Sequence, residues 1–451
     1  MYRQHREAFR AALEEGDLAF FPAAEPVVRS HDVEWPFRQD SDFLYLTGWE
    51  EPGAWLLLGR GLEALPEEEL LAVRPRDPMA EIWEGRRGGA EGARRAGLAA
   101  AREIEDLDAL EDLLRELLPG VRRLWFRFGA RPELDELITR LVEDLRGQQR
   151  AGTAWPEVLM DPTPVLRELR LRKGPEELDC LRRAVAAAAE GHLLAMSAAA
   201  PGVGEWEIEA LLHYTYRRRG LTGWSYPAIV AGGPNACILH YTDSRRTLRD
   251  GELVLVDSGA ECRGYASDVT RTFPVSGSFL PWQRDLYTVV LQAQEAALDA
   301  CRPGEPFDAP HRAALRVLCE GLRSLGVRRQ SVEEMLETGS HRRWTLHNTS
   351  HWLGLDVHDC GAYRLQGAWR LLEEGMVLTV EPGLYFQEDD EEVPEELRGS
   401  GVRIEDDVLI TGGGHEVLSV AVPKSLEDVE TACHALRELP PTLDSDPLRT
   451  A

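Results

Sequence analysis

The sequence has little lysine and no paired-cysteine motif. Only Lys173 and Lys424 are lysines among its 51 basic residues, which we attribute to the arginine bias of a G+C-rich genome and to no chemistry. The seven cysteines are odd in number, lie far apart and form no Cys-X-X-Cys pair. These features argue against a disulfide framework or a zinc ribbon. Reduced thiols are typical of the cytosol, and we predict a cytoplasmic protein.

Long apolar runs and excess positive charge are also missing. No stretch reaches the ~18 uninterrupted apolar residues of a membrane span, and the N-terminal residues are charged where a signal peptide is apolar. The formal net charge of -27 repels phosphate backbones and anionic lipid headgroups, so we expect neither nucleic acid nor a membrane as a partner. The glycine-rich nucleotide motifs and the HExxH zinc motif are absent as well.

The chain is long enough for two large domains. Of its 451 residues 43% are hydrophobic and 29% charged, which is typical of a folded globular protein. Residues 1–165 alternate helical and strand-like patterns, which predicts an α/β domain. Pro162 and Pro164 mark a boundary, because closely spaced prolines resist helix continuation. Residues 166–439 predict a larger α+β domain, and residues 440–451 predict a loose tail.

Hydrophobic periodicity and strand-forming residues indicate where the main elements lie. The predicted helices span residues 3–15, 96–118, 132–147, 175–199, 204–219, 282–301 and 309–325. The predicted strands span residues 54–58, 124–128, 253–256, 269–275, 377–380 and 402–410.

Two aspartates lie at the ends of neighbouring predicted strands. Asp257 follows the run 253–256 directly, and Asp268 precedes the run 269–275. If these strands form a hairpin that turns near residues 262 and 263, the two aspartates lie opposite each other, ~4.5–5.5 Å apart at Cβ. Two buried like charges at that separation are costly unless a cation neutralises them. The alternative interpretation makes both residues turn caps beside glycines.

Two glutamates repeat the arrangement further along the chain. The run 377–380 leads into Glu381, and Val402-Arg-Ile leads into Glu405. On a strand, Arg403 and Glu405 share one face, which places the arginine beside the carboxylate. An acid at the protein surface would more often lie in a loop or alternate with apolar residues along a strand. We therefore interpret the four acids as ligands aimed at one interior point.

A histidine cluster adds nitrogen donors to these acids. His347 and His351 are four residues apart and share one face of either a helix or a strand, whereas His358 shares it only in a helix. Four carboxylates with one or two imidazoles form a hard, oxygen-rich site with more negative charge than one divalent ion neutralises. We expect two ions of the Mn²⁺, Mg²⁺ or Co²⁺ type. Two such ions about 3.5–4 Å apart can catalyse hydrolysis.

These motifs resemble those of a known family. Val256-Asp-Ser-Gly-Ala, Ser350-His-Trp-Leu-Gly-Leu-Asp-Val-His-Asp, Val380-Glu-Pro-Gly-Leu-Tyr and Val402-Arg-Ile-Glu-Asp-Asp look like the pita-bread metallopeptidases, specifically Xaa-Pro aminopeptidase (aminopeptidase P). Phe37-Arg-Gln-Asp-Ser-Asp-Phe resembles that family's N-terminal domain. The resemblance implies an α+β fold, with a C-terminal pita-bread domain preceded by a smaller α/β creatinase-like domain. It also implies hydrolysis of the bond between an N-terminal residue and a following proline.

The resemblance implies a metal-ligand set and the ions it holds. Asp257 would bind one metal, Asp268 and Glu405 would bridge, and His351 and Glu381 would bind the other. Two divalent ions are implied, Mn²⁺ first and Co²⁺ or Zn²⁺ as alternatives. A hydroxide held between them would attack the scissile carbonyl, and Glu381 would exchange its proton.

The resemblance also implies the remaining roles and the assembly. The histidines that would bind substrate and stabilise the oxyanion and the leaving proline nitrogen are His240, His347 and His358. Arg403 would hold the carboxylates in register. The substrates would be peptides with proline at the second position. A homo-oligomer is implied, either a dimer or a tetramer, in which the N-terminal domain borders a neighbour's active site.

Two positions depart from the family pattern, and several other functions stay open. Asn348 replaces a glycine and Ser244 an asparagine, which questions substrate fit more than chemistry. The main alternative is prolidase, which has the same metal set but cleaves only Xaa-Pro dipeptides. A non-catalytic pita-bread binding module is less favoured, because all five ligands are present. Methionine aminopeptidase and creatine hydrolysis fit less well, as does a cysteine nucleophile such as Cys237 or Cys360.

Overall fold

The computed structural model describes residues 1–98 and 100–435. It divides the chain into two compact units, residues 1–170 and residue 171 onward. The boundary expected between residues 165 and 166 falls inside a helix that spans Thr163–Leu171. The expected loose tail lies outside the described residues. Within the described residues no helix combines the length and apolar character needed to cross a bilayer.

The first unit is built on a six-stranded sheet with the order β6-β5-β4-β1-β7-β8. Its strands are β1 (Asp17–Pro22), β2 (Val28–Ser30), β3 (Val33–Glu34), β4 (Trp55–Arg60), β5 (Glu69–Val73), β6 (Ala101–Glu103), β7 (Arg123–Trp125) and β8 (Val158–Met160). Its helices are α1 (Tyr2–Arg10), α2 (Ser41–Thr47), α3 (Glu81–Glu84), α4 (Gly89–Arg95), α5 (Leu107–Leu117), α6 (Pro132–Gly147) and α7 (Thr163–Leu171). Apolar residues of the sheet pack against α5 and α6 in one core. The expected α/β character is confirmed.

The second unit combines long helices with several small sheets. Its helices are α8 (Pro175–Ala198), α9 (Glu205–Arg218), α10 (Pro281–Asp299), α11 (Ala309–Ser324), α12 (Val332–Thr338) and α13 (Leu426–His434). Its strands are β9 (Gly223–Trp224), β10 (Ile229–Gly232), β11 (Leu253–Asp257), β12 (Ala260–Cys262), β13 (Tyr265–Ala266), β14 (Thr270–Pro274), β15 (Arg364–Leu365), β16 (Ala368–Trp369), β17 (Val377–Val380), β18 (Gly383–Phe386), β19 (Ser400–Arg403), β20 (Asp406–Thr411) and β21 (Gly414–Val417). Short 3₁₀ helices lie at Gly233–Cys237, Ser340–Arg343 and Glu395–Leu397 in this unit, and at Gln149–Ala151 in the first unit.

The four long helices predicted in the second unit are confirmed to within two residues. The sequence explains their sharp starts. Helix α8 has proline at its first position and acids in its first turn, and the Glu177 carboxylate accepts the Gly174 amide at 2.7 Å. These groups satisfy an otherwise unpaired amide and favour the positive end of the helix dipole.

One predicted helix in the first unit is wrong. Residues 96–118 contain the end of a turn, strand β6 and helix α5. Helix α4 stops before Gly97, which has φ +90°, and residues 101–103 pair with β5 at the edge of the sheet. Helix α5 then starts afresh, because Asp106 accepts the Ala109 amide at 2.9 Å as an N-cap. The prediction failed because the helical periodicity of the sequence extends over residues that form a short edge strand.

The predicted hairpin between the two aspartates forms with a different register. Asp257 pairs with Thr270, and Cys262 pairs with Tyr265, so Asp268 is not the cross-strand partner of Asp257. The turn lies at Arg263 and Gly264, which have φ values of 54° and 87°. A two-residue hairpin turn of type I′ has positive φ at both central positions, and glycine adopts it without strain.

The predicted strand at residues 402–410 is two strands. β19 ends at Arg403 and pairs with β18, whereas β20 begins at Asp406 and pairs with β17. Glu405 lies in the break between them, where the chain passes from one sheet to the other. The expectation that Arg403 and Glu405 share a strand face is therefore wrong, although Thr270 contacts both side chains.

Candidate metal centre

A cavity of about 1090 Å³ lies within the second unit. The walls are supplied by strands β10, β11, β15, β16 and β19, by helix α11 and by the loops around residues 240, 350 and 381. The cavity is lined by every residue that the sequence singled out for a site, namely His240, Asp257, Asp268, His347, His351, His358, Glu381, Arg403 and Glu405. Their convergence makes this cavity the candidate site.

A tyrosine joins the two hairpin aspartates despite the unexpected register. The Tyr226 hydroxyl lies 2.5 Å from Asp257 Oδ1 and 2.5 Å from Asp268 Oδ1. One phenolic proton cannot be given fully to two carboxylates, so the three groups share a compact, strongly polar contact. Tyr226 thus brings the two carboxylates together where strand pairing does not.

Glu405 enters the site from the break between β19 and β20. Its Oε2 accepts the Thr270 hydroxyl at 2.6 Å, and its backbone amide donates to Thr270 O at 3.1 Å. The Arg403 guanidinium donates to Thr270 Oγ1 at 3.1 Å and to Asp257 Oδ2 at 2.5 Å. Arg403 therefore orients one carboxylate directly and a second through the threonine.

His351 lies between an aspartate and a glutamate. Its Nε2 is 3.4 Å from Asp268 Oδ2 and 3.4 Å from Glu381 Oε1, while its Nδ1 is 3.0 Å from Trp352 O. The backbone contact fixes the ring and leaves Nε2 facing the carboxylates. Ligand atoms of Asp268, His351 and Glu405 all lie within 4.8 Å of one another.

The other two histidines of the cluster reach the same cavity on irregular backbone, because residues 346–361 are neither helix nor regular strand. The His358 ring lies 4.3 Å from the His351 ring at an interplanar angle of 77°. His347 Nδ1 is 2.8 Å from Asn348 O and 3.4 Å from Glu381 Oε2. The helix that the sequence required for His358 is therefore not needed.

A chain of polar contacts connects His347 to the carboxylates. His347 Nε2 is 2.7 Å from the Tyr385 hydroxyl, which accepts from Arg403 Nη1 at 2.9 Å. Arg403 in turn donates to Asp257. Because the hydroxyl accepts from the guanidinium, its own proton points to Nε2, and Nδ1 is left to donate to Asn348 O.

The buried carboxylates crowd negative charge. Burial and the neighbouring acids Asp268 and Asp257 raise the pKa of Glu381 to about 7, even though His351 and Arg403 oppose the shift. Burial and the same neighbours raise the pKa of Glu405 well above its usual range. Burial likewise raises the pKa of Asp257, against the pull of Arg403. The four site carboxylates therefore carry more negative charge than the cationic side chains His351 and Arg403 neutralise.

His351 and Asp268 behave as a pair within this cluster. Burial lowers the pKa of His351, but the hydrogen bond to Asp268 and the charge of Glu381 outweigh it and raise the value to about 9. Burial raises the pKa of Asp268, but His351 outweighs it and lowers the value. The pKa values of this pair thus favour positive charge at the point where Asp268 and Glu381 meet.

The donor set fits divalent cations. Carboxylate oxygens and one imidazole are ligands that Mn²⁺, Co²⁺, Zn²⁺ and Mg²⁺ accept, and there is no thiol among the lining residues. Cations would remove the repulsion that otherwise raises the carboxylate pKa values. The residues present therefore suit a metal centre.

Several residues of this site were missed by sequence reasoning. Tyr226 and Tyr385 contact the predicted residues, and His311 Nδ1 lies 2.9 Å from Thr349 Oγ1 at the cavity wall. Asp407 is fully buried and accepts the Asp268 amide at 3.1 Å. A lone tyrosine or a histidine on a distant helix carries no local signal, whereas Asp407 could have been found as the third acid of Glu-Asp-Asp.

The structure gives no support to a cysteine nucleophile at Cys237. Its thiol is buried and donates to Phe386 O at 3.2 Å. Burial raises its pKa to about 11, so the thiolate is disfavoured at neutral pH.

The chain matches two family models. Residues 179–412 match the metallopeptidase family M24, and residues 2–125 match the aminopeptidase P N-terminal domain. The chain is 41% identical to the Xaa-Pro aminopeptidase of Escherichia coli over 97% of this chain and 98% of that protein. It is 34% identical to Xaa-Pro aminopeptidase 3 of Mus musculus over 90% of this chain and 78% of that protein.

Solved structures show the same similarity. An aminopeptidase of Pseudomonas aeruginosa has a TM-score of 0.93 and 40% identity, with 96% of this chain and 97% of that chain covered. Zinc-substituted Escherichia coli aminopeptidase P in complex with product has a TM-score of 0.92 and 40% identity, with 97% of this chain and 98% of that chain covered.

Proposed function

Because this chain belongs to metallopeptidase family M24 and has an aminopeptidase P N-terminal domain, we propose that it releases the N-terminal residue from peptides with proline at the second position. It is a metal-dependent hydrolase of the exopeptidase type. The expected fold, a pita-bread domain preceded by a creatinase-like domain, is confirmed by the structural similarity. The observation that carries the proposal is the convergence of four carboxylates and His351 on one cavity.

We assign five residues to hold two divalent cations. Asp257 would bind one, His351 and Glu381 the other, and Asp268 and Glu405 both. When bound, the cations supply Lewis acidity and a water of lowered pKa at the scissile carbonyl. Mn²⁺ is the ion we expect, because the donor set is rich in oxygen, with Co²⁺ and Zn²⁺ as alternatives.

The remaining residues handle the proton and the substrate. Glu381 lines the cavity and contacts both His347 and His351, so its carboxylate is placed to accept the proton of the attacking water. The proline nitrogen carries no proton in the peptide and needs one to leave as an amine, which Glu381 returns. His240 and His358 are exposed on the cavity wall, where they bind the substrate and its oxyanion.

His347 is held in one orientation at the site by its neighbours. Its tautomer is fixed by Tyr385 and by Asn348 O, which places the Nδ1 edge of the ring near Glu381. Arg403 anchors the other end of this chain on Asp257. We assign His347 to substrate binding and Arg403 to holding the carboxylates in register. Asn348 lines the cavity, so its departure from glycine bears on which residue can precede proline.

Peptide cleavage followed by mass spectrometry tests the proposal. The substrates are an Xaa-Pro-Xaa peptide and the matching Xaa-Pro dipeptide, each with Mn²⁺ and with an EDTA control. Release of only the first residue from the longer peptide, abolished by EDTA, is the expected result. Cleavage of the dipeptide alone would identify a prolidase with the same residues. Cleavage of neither would favour a binding module and contradict the proposal.

The number of ions is tested separately. Calorimetric titration of EDTA-treated protein with Mn²⁺ should fit two sites, and Asp268→Asn should weaken both because Asp268 is assigned to bridge them. A single site of unchanged affinity in that variant would refute the assignment. Activity that survives exhaustive EDTA treatment would refute metal dependence itself.

We also propose a cytoplasmic homo-oligomer. The seven cysteines all lie among the described residues and form no disulfide there, which fits a reducing compartment. The first unit exposes large apolar side chains, including Trp83 at 87% and Ile82 and Met79 at 70% each, as expected of a surface that contacts another copy. Light scattering should give the mass of a dimer or tetramer, and cell fractionation should recover the protein with the cytosol.

A further inference from the structure

The two lysines of the chain occupy related positions in the second unit. Lys173 forms an ion pair with Asp359, which directly follows His358. Lys424 forms an ion pair with Asp406, which directly follows Glu405. Each lysine therefore contacts a carboxylate one residue away from an assigned site residue, namely a substrate-binding histidine for Lys173 and a metal ligand for Lys424. The arginine bias of the sequence does not explain this placement.

The first pair is almost completely buried. Lys173 Nζ lies 3.1 Å from Asp359 Oδ2, and the side chains are 1% and 1% exposed. Nζ also lies 3.5 Å from Leu171 O. The backbone of Lys173 is fixed as well, because its amide donates to Gly375 O at 2.8 Å. The Lys173 ammonium group is therefore a rigid anchor for the loop that carries His358 and Asp359.

That anchor lies at the base of the His358 loop. The Asp359 amide donates to Trp352 O at 2.9 Å, which closes the loop between them. Asp359 is buried while His358 is exposed to the cavity, so holding the aspartate inward turns the histidine outward. The loop contains no helix or regular strand that would fix this orientation.

The second pair anchors the chain behind Glu405. Lys424 Nζ lies 2.6 Å from Asp406 Oδ2 and 3.0 Å from Gln294 Oε1. Asp406 also accepts from Arg271, Ser419 and Gln294, each at 2.7 Å, so both of its oxygens are occupied. Asp406 does not line the cavity, whereas Glu405 does. Fixing one residue therefore directs its neighbour into the site.

Arg271 strengthens this second anchor. One of its Nη atoms donates to Asp406, and the other donates to the backbone carbonyl of Glu405 at 2.5 Å. The position of Glu405 is thus set from its backbone and from the adjacent side chain. Lys424 supplies the second positive charge against the buried aspartate.

We propose that Lys173 and Lys424 are positioning residues, the first for His358 and the second for Glu405. The inference rests on the roles proposed for these two site residues. It predicts different effects for the two lysines. Loss of Lys173 disturbs the step that needs His358, and loss of Lys424 disturbs metal binding.

Lysine suits the first position better than arginine. The space around its stem is narrow, since a Cβ at Gly354 would lie 3.0 Å from Lys173 Cε and 2.1 Å from Asp359 Oδ2. A guanidinium is planar and wider than an ammonium group and cannot occupy the same place. Lys424 has more room, because its side chain is 26% exposed.

The test compares Lys173→Met and Lys424→Met with Arg172→Met as the matched control. Arg172 is the neighbour of Lys173 in sequence and forms an exposed ion pair with Glu373 at 2.6 Å. We expect Lys173→Met to lower kcat ~10-fold or more, with KM and the Mn²⁺ dissociation constant within about twofold of wild type. We expect Lys424→Met to raise that constant ~10–100-fold. The control should change neither quantity.

Conservative variants distinguish a positioning role from a general contribution to stability. Lys424→Arg should restore Mn²⁺ affinity, because the partly exposed site accepts a larger cation. Lys173→Arg should not restore kcat. If Lys173→Met does not fold, Lys173→Met with Asp359→Asn removes both buried charges, and the folded double variant should still show the lowered kcat. Wild-type kcat in that double variant would overturn the proposal.

Two readouts do not depend on peptide cleavage. Mn²⁺ titration of EDTA-treated Lys424→Met reports on the metal site that Glu405 helps to form. Hydrogen exchange of residues 352–361 in Lys173→Met reports on the His358 loop, where faster exchange is expected. If the wild type cleaves no peptide, the proposed function fails while both readouts still decide the positioning roles. Wild-type affinity in the first variant and wild-type exchange in the second would refute them.

Discussion

At the scale of single residues, Tyr226 links two assigned ligands through one hydroxyl group. We predict that Tyr226→Phe weakens Mn²⁺ binding ~10–100-fold, because an outer contact that orients ligands typically contributes that much to metal affinity. Calorimetric titration measures the change. Tyr241→Phe is the matched control. Tyr241 also donates to a carboxylate, that of Glu205 at 2.8 Å, but Tyr241 and Glu205 both lie outside the cavity lining. Equal affinities in the two variants would contradict the role of Tyr226.

His358 tests the division between metal ligands and substrate-binding residues. Its ring contacts His351 and is exposed to the cavity, and His358 is not one of the five residues assigned as ligands. His358→Ala should therefore lower kcat ~10²-fold or more, as removal of one oxyanion donor does, and leave bound Mn²⁺ near the wild-type amount. Elemental analysis of the dialysed variant checks the metal. Loss of metal together with activity would mean that His358 is a ligand.

At the scale of elements, the hairpin β11–β14 depends on Gly259. A Cβ at this position would lie 1.6 Å from the Ser267 backbone oxygen, which cannot move without separating the two arms. We predict that Gly259→Ala lowers the free energy of unfolding by about 3 kcal/mol or more, at the upper end of overpacking effects. Urea unfolding measures this change. Gly413→Ala is the control, because nothing lies within 4 Å of a Cβ there, and it should change stability by less than about 1 kcal/mol.

The same hairpin shows what the sequence could predict. Apolar runs ending in acids located strands β11 and β17 to within a residue, and the acids do reach one cavity. The predicted register was wrong because the turn uses Arg263 and Gly264 and not residues 262 and 263, so it lies one residue further along the chain. The contact between Asp257 and Asp268 then depends on Tyr226, whose position no local pattern reveals. Long-range contacts of this kind follow from packing rather than from periodicity.

Elements at sheet changes were the least predictable. The apolar run 402–410 looks like one strand, yet Glu405 interrupts it where the chain leaves β18 for β17. In this break the buried Glu405 carboxylate accepts the Thr270 hydroxyl, which satisfies a group that would be costly to bury alone. The break is thus where the sequence departs from ideal strand patterning, and it coincides with the site.

At the scale of the whole molecule, all five assigned ligands lie in the second unit, and none lies in the first. Divalent cations bind the folded ligand set and relieve its buried repulsion, so they stabilise the native state by linkage. At a free Mn²⁺ concentration 100 times the dissociation constant, a single site contributes about 2.7 kcal/mol. We therefore predict that EDTA-treated protein unfolds at lower urea concentration than Mn²⁺-loaded protein, and that Asp268→Asn reduces the difference.

Hydrogen exchange should locate this stabilisation. Mn²⁺ should slow exchange in residues 253–274, 345–361 and 377–411, which carry the ligands, because binding restricts local opening of those segments. The sheet of β1, β4 and β7 in the first unit contains no assigned ligand and serves as the internal control. Equal slowing in that sheet would show that the ion acts through the whole chain. Unchanged exchange in all segments would contradict a metal centre built from these residues.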